Sequence, residues 1–143
     1  MNKKYRGFRW FWGLLFCVVY PIGVGQSLAA LPLQVGVYRV GSRYIQIAEQ
    51  NNRICFVGFS ARGATTASVE PESNYPNSYK VEGYEGAILF QADINTLLFG
   101  PRHYLEEYPA DRSFSRELTE DLEACLNSTE PFLNRVSEGR NGR

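Results

Sequence analysis

VGVYRVGSRYIQIAEQNNRICFVGFS, residues 35 to 60, contains three runs rich in β-branched and aromatic residues: VGVYRV (35 to 40), RYIQIAEQ (43 to 50) and RICFVGFS (53 to 60). Only two residues separate each run from the next. Gly41-Ser42 suits a turn with glycine first, and Asn51-Asn52 suits one whose two central residues both take positive φ. The spacing predicts an antiparallel three-stranded meander that pairs Val40 with Arg43 and Gln50 with Arg53. In that register Tyr38, Val40, Ile45, Ile47, Ile54 and Phe56 share one face, while Val37, Tyr44, Ala48, Cys55, Val57 and Phe59 share the other. Both faces are substantially apolar, so the sheet must be covered on two sides, by curling into a small barrel or by packing against another element.

The rest of the chain supplies that cover. After a turn at Arg62-Gly63, ATTASVE (64 to 70) reads as a strand, and YKVEG, AILFQAD and LLFG follow PESNYPNS as further short strands bounded by Gly, Pro or Asn. In SRELTEDLEACLNS the period changes. Phe114, Leu118, Leu122, Cys125 and Leu126 recur at helical spacing, with Ser115 as N-cap, acids toward the N-terminal side and Pro131 limiting the far end. The expected fold class is α+β and mostly β: an antiparallel meander of six to seven short strands, a curled sheet or small barrel, with one C-terminal amphipathic helix packed on it. The expected domain runs from 30 to 132, followed by a polar, frayed tail at 133 to 143.

Upstream, MNKKYRGFRW carries Lys3, Lys4, Arg6 and Arg9 without an acid and leads into the apolar run FWGLLFCVVY (11 to 20). PIGVGQSLAA follows, with Ser27 and Ala29 three and one residues before a cut, so residues 1 to 29 read as a secretory signal peptide cleaved after Ala29. The competing reading is a retained anchor, but this apolar run falls short of the ~20 residues that span a bilayer. Cys17 follows Phe16 rather than a small residue, which speaks against a lipoprotein signal. Cleavage leaves 11 basic residues against 15 acidic ones, a net charge of −4 (11 − 15), and no concentrated basic face for nucleic acid. It also leaves two cysteines in an oxidising compartment, without C-x-x-C spacing. Cys55 on a strand face that needs covering and Cys125 on the apolar face of the helix predict a disulfide stapling helix to sheet. A catalytic thiol would have only His103 as its base, and zinc would lack two further ligands.

Signals for chemistry are sparse. His103 precedes Glu106 and Glu107 by three and four residues, an arrangement that a helical turn would turn into a metal or catalytic pair. It reads more simply as a loop histidine among solvated acids. There is no G-x-S-x-G elbow, no phosphate-binding glycine pattern and no indicated cofactor or metal. Carboxylate pairs such as Glu106/Asp111 or Glu82/Glu85 have the residue types for glycosidase work but read more simply as solvated acids in turns, and Asn127-Ser128-Thr129 fits the N-x-[ST] pattern at the end of the helix. Two loops stand out as partner-binding candidates: PESNYPNS (71 to 78) with Tyr75, and HYLEEYPAD (103 to 111) with His103, Tyr104 and Tyr108. The same tyrosines are also suited to plugging the end of a barrel. The expectation is a small secreted or periplasmic noncatalytic module that binds an extracytoplasmic protein, glycan or envelope component, with no stable membrane span after cleavage. An apolar-ligand carrier built around a barrel cavity is the alternative, and a small hydrolase using His103 is the third.

Overall fold

A computed structural model describes residues 31 to 75, 77 to 114 and 118 to 137. The signal segment and the Ser115 N-cap lie outside the described residues. The meander runs through β1 (Gly36–Val40), β2 (Arg43–Gln50), β3 (Arg53–Ser60), β4 (Gly63–Pro71), β5 (Ser78–Val81), β6 (Ala87–Asp93), β7 (Thr96–Pro101) and β8 (Glu106–Pro109), each antiparallel to the next. Val40 pairs with Arg43 and Gln50 with Arg53, as the turn spacing predicts. Asn51 and Asn52 take φ of 51° and 63°, the left-handed values that let a two-residue turn follow the strand twist.

The sheet curls until its ends meet. Tyr38 of β1 bridges Ala110, just past β8, and the Asp111 N–H donates to the Val37 carbonyl at 2.8 Å. The result is a nearly closed barrel. Its interior is packed with inward side chains from every quarter of the sheet, among them Tyr38, Ile47, Phe56, Leu89, Leu97 and Tyr108. One end is closed by a buried polar knot. Gln91, 2% exposed, accepts from the Gln34 N–H and the Tyr38 hydroxyl and donates to the carbonyls of Asp93 and Thr96, satisfying its amide at the β6–β7 irregularity.

On the outer face, helix α1 (Glu120–Asn127) covers β2, β3 and β4. Leu122, Cys125 and Leu126 bury against Cys55 and Val57, and Cys55 and Cys125 form a disulfide with a Cα–Cα separation of 6.3 Å. The helix is shorter than its periodicity implies. Thr119 is the N-cap, accepting from the Leu122 N–H at 3.3 Å, and Phe114 and Leu118 stand outside the helix and exposed. Phe114 instead packs against Tyr44 at 5.8 Å beneath the Arg39 guanidinium at 5.2 Å, so its helical spacing belonged to a separate anchor.

The expected frayed tail at 133 to 143 requires correction over 133 to 137; residues 138 to 143 lie outside the described residues. Leu133–Ser137 forms β9, antiparallel to β4 from Gly63↔Ser137 to Ala67↔Leu133. The reason is an open edge. β5 pairs only with Val69–Pro71, which leaves the first half of β4 without a neighbour on that side, and β9 fills it. Ser68 fixes the entry: its N–H donates to the Phe132 carbonyl and its Oγ accepts from the Phe132 N–H, both at 2.9 Å.

Candidate interaction surface

The two candidate loops arise from different hairpins, and the barrel brings them together. Residues 72 to 77 connect β4 to β5, and 102 to 105 connect β7 to β8. In the first loop the Glu72 N–H donates to the Ser78 carbonyl at 2.9 Å, while the Ser78 hydroxyl donates to the Tyr75 carbonyl at 2.8 Å. In the second the Tyr104 N–H donates to the Pro101 carbonyl at 2.8 Å. Both backbones are thus held by their own hydrogen bonds, which lowers the ordering entropy a partner would have to overcome. The Arg102 guanidinium lies 3.6 Å from the Tyr75 ring centroid, a cation–π contact joining the loops. Tyr75 is 43% and Tyr104 70% exposed, and His103 is exposed beside them.

Arg102 also borders a groove of about 470 Å³ that Glu72, Lys80, Glu82, Tyr84 and Glu85 line with it. Lys80 is engaged with Glu70 at 3.6 Å. The groove therefore carries more acid than base. The Glu82 and Glu85 carboxylates border it. No protein-family model, curated protein or solved structure matches this chain. What the surface can do must be read from its own chemistry: it offers stacked aromatic and guanidinium area, polar tips and carboxylates for hydrogen bonding.

Other sequence candidates fall elsewhere. Tyr108, expected in a loop, lies in β8 and is 6% exposed inside the barrel, where its hydroxyl donates to Glu106 Oε2 at 3.1 Å. Burial, together with the Glu106 carboxylate, pushes that hydroxyl up to about 12. It serves as a plug of the interior, since β8 turns alternate residues inward and position 108 follows that alternation. Glu106 and Glu107 sit on the same strand instead of on a helical turn with His103, so the His-x-x-Glu arrangement is not formed. Glu106 is taken by Arg43, whose Nη1 donates to Oε2 at 2.9 Å and Nη2 to Oε1. Asp111 lies five residues beyond Glu106, about 16 Å of extended chain. There the Ser113 hydroxyl and N–H hold its carboxyl below the usual carboxylate range, with Arg39 at 3.9 Å. Among the described residues no group of three His, Cys, Asp or Glu side chains is placed to hold a metal ion. Arg102, the residue that links the loops, carries no local pattern. Only a contact between residues 27 positions apart reveals it.

Proposed function

We propose that the protein is a small noncatalytic binding module of the periplasm or cell exterior, and that it recognises a protein, glycan or envelope component through the Tyr75–Arg102–Tyr104 face. The observation that carries this reading is the 3.6 Å stack of Arg102 on Tyr75, which fixes two loops into one exposed surface. Tyr and Arg dominate interface energetics because each contributes large contact area at low conformational cost, and here they are held in place before any partner arrives. An interior packed with side chains supports recognition from outside over carriage within. The buried disulfide and the leader-like residues 1 to 29 support export.

The test is photocrosslinking in the native host, with a photoreactive residue at position 104 and a control at exposed Glu49 on the β2–β3 side. A discrete adduct from position 104 that disappears when Tyr75 and Arg102 are replaced by serine, with the melting temperature unchanged, is the expected result. Equal labelling from both positions, or an adduct indifferent to the double substitution, rejects the assignment of this face.

A further inference from the structure

By filling the edge of β4, β9 becomes an edge itself. Phe132 turns its N–H and carbonyl toward Ser68 of β4, and the two-residue alternation of an antiparallel ladder carries that orientation to Asn134 and Val136. The N–H and carbonyl groups of Leu133, Arg135 and Ser137 therefore point away from β4, and among the described residues no strand pairs with them. Nothing blunts this edge: LNRVS has no proline, no lysine and no bulge in its register with β4. Its one ion is engaged, because Arg135 donates from Nη2 to the Gly83 carbonyl at 2.6 Å and lies 5.7 Å from the Tyr84 ring. A strand of opposite charge is not what this edge calls for.

Two cross-strand rows on the outer face of the sheet reach β9, and they differ in cover. Gln46, Val57, Thr66 and Asn134 form one; its first three members are buried, and Asn134 donates to Asp121 of α1 at 2.7 Å. Tyr44, Phe59, Ala64 and Val136 form the other, in which Tyr44 stacks on Phe59 at 5.0 Å and the last member, Val136, is 51% exposed. This apolar row is only partly buried and stops at the open edge. We propose that a second copy of the chain covers the edge, its β9 running antiparallel to the first about a two-fold axis at Val136. Within the strand interior the axis can pass residue 134, 135 or 136 and still set outward groups against outward groups. An axis at 134 sets the two α1 first turns side by side, each bearing Glu120, Asp121 and Glu123, because Asp121 reaches Asn134. An axis at 135 sets one guanidinium opposite the other. At 136 the closely spaced, non-hydrogen-bonded pair is valine on valine, Arg135 exchanges backbone bonds with Ser137 of the partner subunit, and the two apolar rows join into one. The contact is small, below the about 1,200 Å² typical of stable complexes, so the dimer is reversible. It shares no residue with the Tyr75–Arg102–Tyr104 face and stands or falls independently of it.

Sedimentation velocity of the disulfide-bonded chain at concentrations up to roughly 1 mM tests this. The expected result is a progressive shift from one chain to two. Val136→Lys should move that shift at least tenfold higher in concentration while the β4 amides stay protected from hydrogen exchange. Val136→Cys should give a cross-linked dimer on mild oxidation at least tenfold faster than Glu49→Cys, a cysteine at another exposed position; this comparison decides the matter if the lysine variant loses its β4 protection. A chain that stays monomeric overturns the proposal, including one whose Arg135 and Ser137 amides are protected by another segment of the same chain. A dimer indifferent to Val136→Lys, or cross-linking no faster at 136 than at 49, overturns the assignment of β9 as the interface.

Discussion

Opening the Cys55–Cys125 bond removes a cross-link that closes a loop of 70 residues. The loop-closure entropy it withholds from the unfolded chain amounts to about 4.4 kcal/mol at 25 °C for a loop of that length. Small domains have only about 5–15 kcal/mol in total, so the loss should bring this one near its threshold. The native contacts around the bond do not themselves require it: Leu122 and Leu126 are buried, Arg53 donates to the Cys125 carbonyl at 3.2 Å, and β9 anchors the chain beyond the helix. The loss therefore falls mainly on the unfolded state, and the transition should remain cooperative. Urea unfolding followed by circular dichroism and tyrosine fluorescence, on the oxidised chain, the reduced chain and Cys55→Ala/Cys125→Ala, measures it directly. A melting-temperature decrease of about 15–20 °C and a larger denaturant slope are expected, because the open unfolded chain exposes more surface. A loss below about 1 kcal/mol would refute the entropic account. So would a separate early transition confined to helical signal, which would show that the bond holds only α1.

Further expectations follow from single contacts. Arg53→Ala removes donors to the carbonyls of Cys125 and Glu130 at the end of α1 and should cost about 1–2 kcal/mol in chemical denaturation. Gly63→Ala combines a φ of 132° with a Cβ placed 2.1 Å from the Val136 carbonyl oxygen, so β9 should detach and the β4 amides should lose hydrogen-exchange protection. The Tyr108 hydroxyl is raised from 10 to about 12 on folding, so the native state holds its proton more tightly. The stability this contributes is complete below pH 10 and is lost as pH climbs toward 12. Ultraviolet titration should show a late-ionising component that Tyr108→Phe reduces. Intact mass of protein from its native host should match a chain starting at Ala30 and two hydrogens lighter than its reduced form, whereas a full-length chain would contradict cleavage after Ala29.

The meander was legible because period-2 patterning and two-residue turns are local signals, and residues 35 to 60 state both twice. Cys55 and Cys125 could be joined for a similar reason: each stood on an apolar face in need of cover. β9 was illegible because NRVSEGRNGR has the composition of a loose end. Its strand is imposed by the unfilled edge of β4, a long-range vacancy no window of sequence contains. Tyr108 was misplaced for the opposite reason, since the prolines and glycines around it mark a loop that begins earlier, at 102 to 105, and ends before it. The face joining Tyr75 to Arg102 and the mouth pair Arg43–Glu106 depend on barrel closure, which sequence spacing leaves undetermined.

The covering layer lies at the C-terminal end of the described chain, and that order has a consequence for assembly. β1 to β8 are linked by short hairpins that can zip as they emerge, while α1 and β9 come last and reach back to β3 and β4. Cys55 must therefore wait, with its thiol on an uncovered sheet, until the segment bearing Cys125 arrives. Within residues 31 to 137 it has no other cysteine to meet. Oxidation then marks completion of the domain, and one collision suffices where richer disulfide frameworks must reshuffle.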